Sequence, residues 1–127
     1  MAKHFDPVQV RRNALVGRDE ARMTQKEIAD AMIAFYGNIA EKHGGAVSVC
    51  FIDVFVGLFP DGTRREERDA RPAVLTADVH DPVNPYFPLL SICIPNVTGK
   101  YGSEQTAEEE MKELRPYREA LERLLGL

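Results

Sequence analysis

A carboxylate held beside an imidazole can orient it as a general base, and the two together can bind a divalent cation. The chain carries one such group of residues, Asp78, His80 and Asp81. If Pro72 to His80 forms a strand, the spacing of two puts Asp78 and His80 on the same face, with Asp81 at the strand end. Asp53 is the carboxylate that a neighbouring strand could add to them. The competing reading makes Asp78 and His80 the solvent side of a half-buried strand. Asp53 also stands between Phe51 and Phe55 on its own strand face, where an unpaired carboxylate is costly. It is expected to pair with an arginine such as Arg71, to cap a loop or to line a pocket, unless a bend or bulge leaves it in water. No cofactor is specified by these residues.

A second group lies at Thr98, Gly99, Lys100, Gly102 and Ser103. A glycine-containing loop with a lysine, leading into the free N–H groups of a helix start, can hold phosphate or carboxylate. The spacing differs from the phosphate-binding loop G-x-x-x-x-G-K-[ST], and Glu104, Glu108, Glu109 and Glu110 crowd the region with negative charge. An ordinary left-handed turn followed by a helix cap explains the same residues. Nucleophilic hydrolysis has no signature, because no serine sits in a G-x-S-x-G context. Cys50 and Cys93 fall in apolar runs without C-x-x-C spacing and read as buried thiols in a reducing compartment.

Other residues suit recognition rather than chemistry. Arg64 to Arg71 holds seven charged side chains in eight positions and is expected to be an exposed edge strand or a mobile loop, offering Arg64, Arg65 and Arg68. Tyr86 and Phe87 lie in a connection stiffened by Pro82, Pro85 and Pro88. Aromatic side chains on a rigid loop suit an interface.

These groups need elements to position them. Asp6-Pro7-Val8-Gln9 opens a short first helix that Gly17 stops. Thr24-Gln25-Lys26-Glu27 is a capping box for a second helix with an apolar stripe at Ile28, Met32, Phe35 and Ile39, ended by Gly44-Gly45. Ala46 to Phe59 is a strand with apolar residues on both alternating faces, the pattern of a central or doubly covered strand. Pro60-Asp61-Gly62-Thr63 turns it into a hairpin. Pro72 to His80 and Leu89 to Val97 alternate as further strands. A C-terminal helix capped by Ser103 or Thr106 carries Met111, Leu114, Tyr117, Leu121 and Leu124, and Pro116 either kinks it or starts another helix. The order predicts one α+β domain over residues 1–127, with two N-terminal helices and one C-terminal helix packed on a mainly antiparallel sheet of three to five strands.

Met23 to Met32, M-T-Q-K-E-I-A-D-A-M, resembles the opening helix of helix-turn-helix DNA-binding domains. The resemblance spans about ten residues. Where that family places a glycine turn and a recognition helix, Ile33-Ala34-Phe35-Tyr36 continues the first helix without a break.

The net charge of −4 and sequence pI near 5.4 disfavour nucleic acid and anionic membranes as partners of the whole chain. Charge is graded, with residues 1–26 carrying six basic and three acidic side chains and residues 103–127 four and seven. Opposite charge at the two ends permits pairing between copies. The longest apolar run, Ala46 to Phe59, includes Asp53 and is too short to span a bilayer. No leading apolar segment resembles a secretion signal, so a cytoplasmic location is expected. The function expected is a non-catalytic interaction module, an adaptor, inhibitor or assembly subunit that self-associates and meets a protein partner. The alternative is a small-ligand or divalent-metal-binding protein, with hydrolysis as its chemistry, using the Asp53/Asp78/His80/Asp81 face or the Gly99–Ser103 loop.

Overall fold

The computed structural model of the chain describes residues 22–127. Within them one helix precedes a three-stranded antiparallel sheet and two follow it, an α+β arrangement. The helix expected after Asp6-Pro7 lies outside the described residues.

Helix α1 (Gln25–Lys42) starts where the capping box predicts: the Thr24 hydroxyl accepts from the Glu27 N–H at 3.2 Å and the Glu27 carboxylate accepts from the Thr24 N–H at 3.4 Å. It ends at Gly44 and Gly45, both at positive φ, and the Gly45 N–H returns to the Ala40 carbonyl at 2.9 Å. Its most buried line runs Ala29, Ile33, Tyr36 and Ala40, one residue on from the expected stripe. Ala29 and Ala40 are the two fully buried residues of the helix, Ala40 beside Leu75, Ile92 and Cys93, and the larger Ile28, Met32, Phe35 and Ile39 are only half-buried. Hydropathy ranks large side chains first and so misplaces a contact made by small ones.

Strands β1 (Ala46–Leu58) and β2 (Arg64–Thr76) form a hairpin paired one-to-one along thirteen residues, from Ala46 opposite Thr76 to Leu58 opposite Arg64. The turn between them closes through Phe59 N–H to the Thr63 carbonyl at 3.0 Å, with Gly62 at φ +87° and Asp61 holding the Thr63 N–H at 2.9 Å. The charged run from Arg64 to Arg71 is therefore regular strand rather than loop. It pairs with β1 on one side and finds charged partners on the helices.

Two expectations for the second half of the chain are corrected, and of the two alternatives left open at Pro116 the second helix is the one found. The alternation from Pro72 to His80 is strand only as far as Thr76, where β2 ends. Most of Leu89 to Val97 is not strand: Pro88–Ser91 is a 3-10 turn, and only Cys93–Pro95 (β3) pairs, with Ala73 to Leu75. Pro88 at the start of that turn favours the bend over extension. The C-terminal helix is two helices, α2 (Ala107–Glu113) and α3 (Arg115–Leu125), meeting at Leu114. Pro116 has no N–H to continue α2 and instead occupies the first turn of α3, where none is needed.

The sheet order is β1-β2-β3, which leaves β1 at an edge. Exposure along β1 alternates strictly, with Val47, Val49, Phe51, Asp53, Phe55 and Gly57 turned inward. Near the open end of the hairpin that inner face meets α1 and the 88–91 turn, where Ala40, Leu75, Ile92 and Cys93 form the buried centre. Near the tip it meets α3, which buries Ala120 and Leu124 and sets Tyr117 edge-on to Phe55 with ring centres 4.9 Å apart.

Candidate functional site

The outer face of the hairpin is the most unusual surface of the molecule. Ile52, Val54, Val56 and Leu58 recur at spacing two and are 60, 48, 50 and 80% exposed. Across from them on β2 stand Ala70, Arg68, Glu66 and Arg64, in that register and also exposed. The result is an apolar row beside a row of alternating charge, in which Glu66 lies 3.1 Å from Arg64 and 3.7 Å from Arg68. Cys50 extends the apolar row and is exposed, contrary to the expectation that both cysteines are buried; only Cys93 is. Both thiols are free. The pattern that reads as a doubly covered strand is thus, among the described residues, covered on one side and bare on the other. β1 also has nothing paired to its free edge among the described residues, and its thirteen residues contain no proline, lysine or bulge of the kind that usually protects an edge.

The inner face holds a cluster of ions between the two helical layers. Asp53 accepts from an Arg71 amino group at 2.9 Å, as its position among apolar neighbours requires. Arg71 Nε lies 3.5 Å from Asp69, its other amino group 3.9 Å from Glu113, and its plane 5.9 Å from the centre of the Phe51 ring. One guanidinium therefore faces three carboxylates. Burial pushes the Asp69 carboxyl above its usual range, and contact with Asp53 pushes the same way against the pull of Arg71. Beside this cluster a cleft of about 320 Å³ is walled by Phe51, Arg71, Pro72, Pro95, Glu113 and Pro116. Arg71 and Glu113 in its lining face each other, Lys112 stands at its rim, and the rest of the wall is largely apolar, so it suits an apolar group. Sequence reasoning missed Asp69 and Glu113. Asp69 shares the spacing-two signal with Arg71, but nothing in the sequence brings Glu113 to them.

The structure joins two groups that the sequence keeps apart. His80 Nδ1 lies 2.9 Å from the Ser103 hydroxyl and Nε2 3.8 Å from Glu104, with the imidazole stacked on Tyr101 at 5.3 Å. Tyr101 donates to the Asp78 carbonyl at 3.2 Å, and Thr76 donates to the same oxygen at 2.7 Å. Asp78 thus contributes its backbone, from beyond the strand end, rather than a carboxylate shared with His80. Lys100 is paired with Glu109 at 3.0 Å and Thr98 with Gln105 at 2.6 Å. Gly99 takes a left-handed φ of +67°. Asp53 has its own partner in Arg71, and among the described residues no three His, Cys, Asp or Glu side chains converge to hold a metal ion.

The remaining interface candidates are exposed. Tyr86 and Phe87 are 72 and 63% accessible on their loop, which Gln25 ties to α1 by donating to the Pro85 carbonyl at 3.0 Å. Arg65 lies on the inner face, over the Phe59 ring at 5.3 Å and donating to the Leu124 carbonyl at 3.4 Å, so it anchors α3. Comparison of the chain with protein-family models, with curated proteins and with solved structures gives no match.

Proposed function

We propose that the protein is a non-catalytic interaction module, an adaptor, inhibitor or assembly subunit that self-associates. The observation that carries this reading is the exposed apolar row Ile52, Val54, Val56 and Leu58 on a hairpin whose other face packs on the helices. Apolar side chains in a contiguous row gain by leaving water, and rows of this kind mark interaction sites. The exposed Tyr86 and Phe87 add a second, separate place for a protein partner. A cytoplasmic setting agrees with the free thiols of Cys50 and Cys93. Among the described residues no helix is long and apolar enough to cross a membrane. Light scattering on the full chain from about 1 to 100 μM, a range that brackets micromolar association, tests the reading. A mass that rises with concentration towards a closed oligomer is expected, and a strict monomer throughout overturns self-association.

A second reading, a small-ligand or divalent-metal-binding protein with hydrolytic chemistry, draws on the contacts of His80 with Ser103 and Glu104 and on the cleft beside Arg71. Native mass spectrometry and elemental analysis of the purified protein separate the two. A stoichiometric metal or bound small molecule favours this second reading, and an empty protein retires it.

A further inference from the structure

We infer that the outer face of the hairpin is covered by the same face of a second copy, stacked about a two-fold axis that lies in the interface and crosses the strands between Val54 and Val56. The inference rests on the self-association proposed above and specifies where it occurs.

A two-fold dimer of a two-row face can set its axis in three directions, and each makes a different contact. An axis perpendicular to the sheet pairs β1 with β1 edge to edge. That leaves the two apolar rows side by side in water and enlarges the exposed patch. An axis along the strands over β1 would stack the apolar rows but leave both charged rows unopposed, and one midway between the strands lays β1 of one copy over β2 of the other, so that Val54 and Val56 meet Arg68 and Glu66. Charges would then be desolvated against hydrocarbon. Only an in-plane axis across the strands sets apolar row on apolar row and charged row on charged row.

Centring that axis on the middle of the apolar row fixes the register. Val54 then faces Val56 of the second copy, and Ile52 faces Leu58. Because Val54 is opposite Arg68 and Val56 opposite Glu66 within one hairpin, the same operation sets Arg68 over Glu66, twice by symmetry. Arg64 falls over Ala70 rather than over another cation. Thus the placement that best covers the apolar row also pairs unlike charges, with no freedom left to adjust it. About that axis the strands overlap from Ile52 to Leu58, seven residues at about 3.4 Å each, which makes a contact about 24 Å long and two strands wide, with the 59–63 turn of each copy seated over Cys50 of the other. Such a contact is small beside those of stable complexes and predicts a weak dimer that forms towards the upper end of the concentration range above.

The test uses the full chain and equilibrium sedimentation. Val54→Lys, at an exposed position, is expected to retain the circular dichroism and melting of the folded protein and to lose the dimer. Glu66→Arg, which sets a cation against Arg68 of the second copy, is expected to weaken it about tenfold. The double variant E66R/R68E restores the unlike pair and is expected to return the affinity to within about threefold of the original. A dimer indifferent to Val54→Lys places the interface elsewhere and overturns this inference while self-association stands. Equal weakening by E66R and E66R/R68E overturns the register and with it the proposed axis. A strict monomer overturns both the inference and the reading beneath it. If Cys50 of that monomer resists a small thiol reagent until the protein unfolds, the face is covered from within the same chain.

Discussion

Asp53 and Asp69 stand directly opposite each other across the hairpin, on the face that the helices cover. Two carboxylates so placed are a costly cross-strand pair, since like charges repel and both lose water. Neither oxygen of Asp69 has a donor in hydrogen-bonding geometry, and its side chain is 1% exposed. Arg71 offsets part of the charge from 3.5 Å. The raised Asp69 carboxyl follows, because a proton there both removes charge and supplies a donor towards Asp53.

Stability should therefore depend on pH through Asp69 in a definite direction. Below the ordinary aspartate range both folded and unfolded chains hold the proton and the residue has no effect. As pH rises, the unfolded chain releases it first and the folded chain only at its raised value, so stability is lost through that window and stays lower above it. Asp69→Asn removes the loss. The variant is expected to be more stable by about 1 kcal/mol at pH 7, with the difference vanishing in acid. Urea titrations at both ends of the range measure it. A difference independent of pH would show that folded and unfolded chains titrate Asp69 alike, so that folding does not raise its carboxyl.

Arg71 is predicted to matter in the opposite sense. Its side chain is 19% exposed and faces Asp53, Asp69 and Glu113. Arg71→Met keeps the contact with Phe51 but leaves three carboxylates without their cation. Breaking a largely buried pair from one side costs about 3 kcal/mol or more. Adding Asp69→Asn to Arg71→Met should recover a measurable part of that loss, and additive effects in the two-by-two comparison would refute the coupling.

How far the sequence reveals the fold depends on whether the deciding contact is local. Both helix starts with capping boxes, Thr24 with Glu27 and Thr106 with Glu109, form as read, because the partners lie three residues apart. The hairpin turn and the pairing of Asp53 with Arg71 are legible for the same reason: a turn sets the register, and the register sets the neighbours. The strand from Arg64 to Arg71 is obscured because its inward charges answer to distant residues, Glu67 to Arg123 at 3.1 Å and Arg71 to Glu113. The meeting of His80 with Ser103 is hidden likewise, since the strand that would have paired Asp78 with His80 stops at Thr76.

Two glycines make a paired prediction about packing. A Cβ at Gly102 would lie 2.8 Å from Leu90 Cδ2 and 3.3 Å from Leu90 Cα, so the 102–104 turn and the 88–91 turn must separate to admit it. Gly102→Ala is expected to destabilise the protein by about 1 to 2 kcal/mol and to disturb the imidazole signals of His80, whose partner is the next residue. Gly37 lies inside α1 with nothing within 4 Å of its would-be Cβ. There alanine only improves helix propensity, and Gly37→Ala should stabilise by about 0.5 to 1 kcal/mol. Thermal melts of both variants settle the contrast.

The two thiols should separate cleanly by rate. Thiolate is the reactive form, so reactivity depends on how easily each sulfur ionises and on whether a reagent can reach it. Cys50 is exposed on the outer face of β1. Cys93 is buried in the centre beside Ala40, Leu75 and Ile92, and burial, aided by the nearby charge of Glu113, pushes its thiol up to about 11. At pH 8 Cys93 is then almost wholly protonated as well as shielded. A disulfide reagent added to dilute native protein should titrate one thiol promptly, and the second only as fast as the core opens or after denaturant is added. Cys50→Ser should abolish the fast phase and leave the slow one, whereas Cys93→Ser should do the reverse. Two fast thiols would mean that the β3 side of the core is open to solvent. Repeating the titration at high protein concentration connects this measurement to association, because a stacked second copy brings its 59–63 turn over Cys50 and should slow the fast phase in proportion to the dimer present.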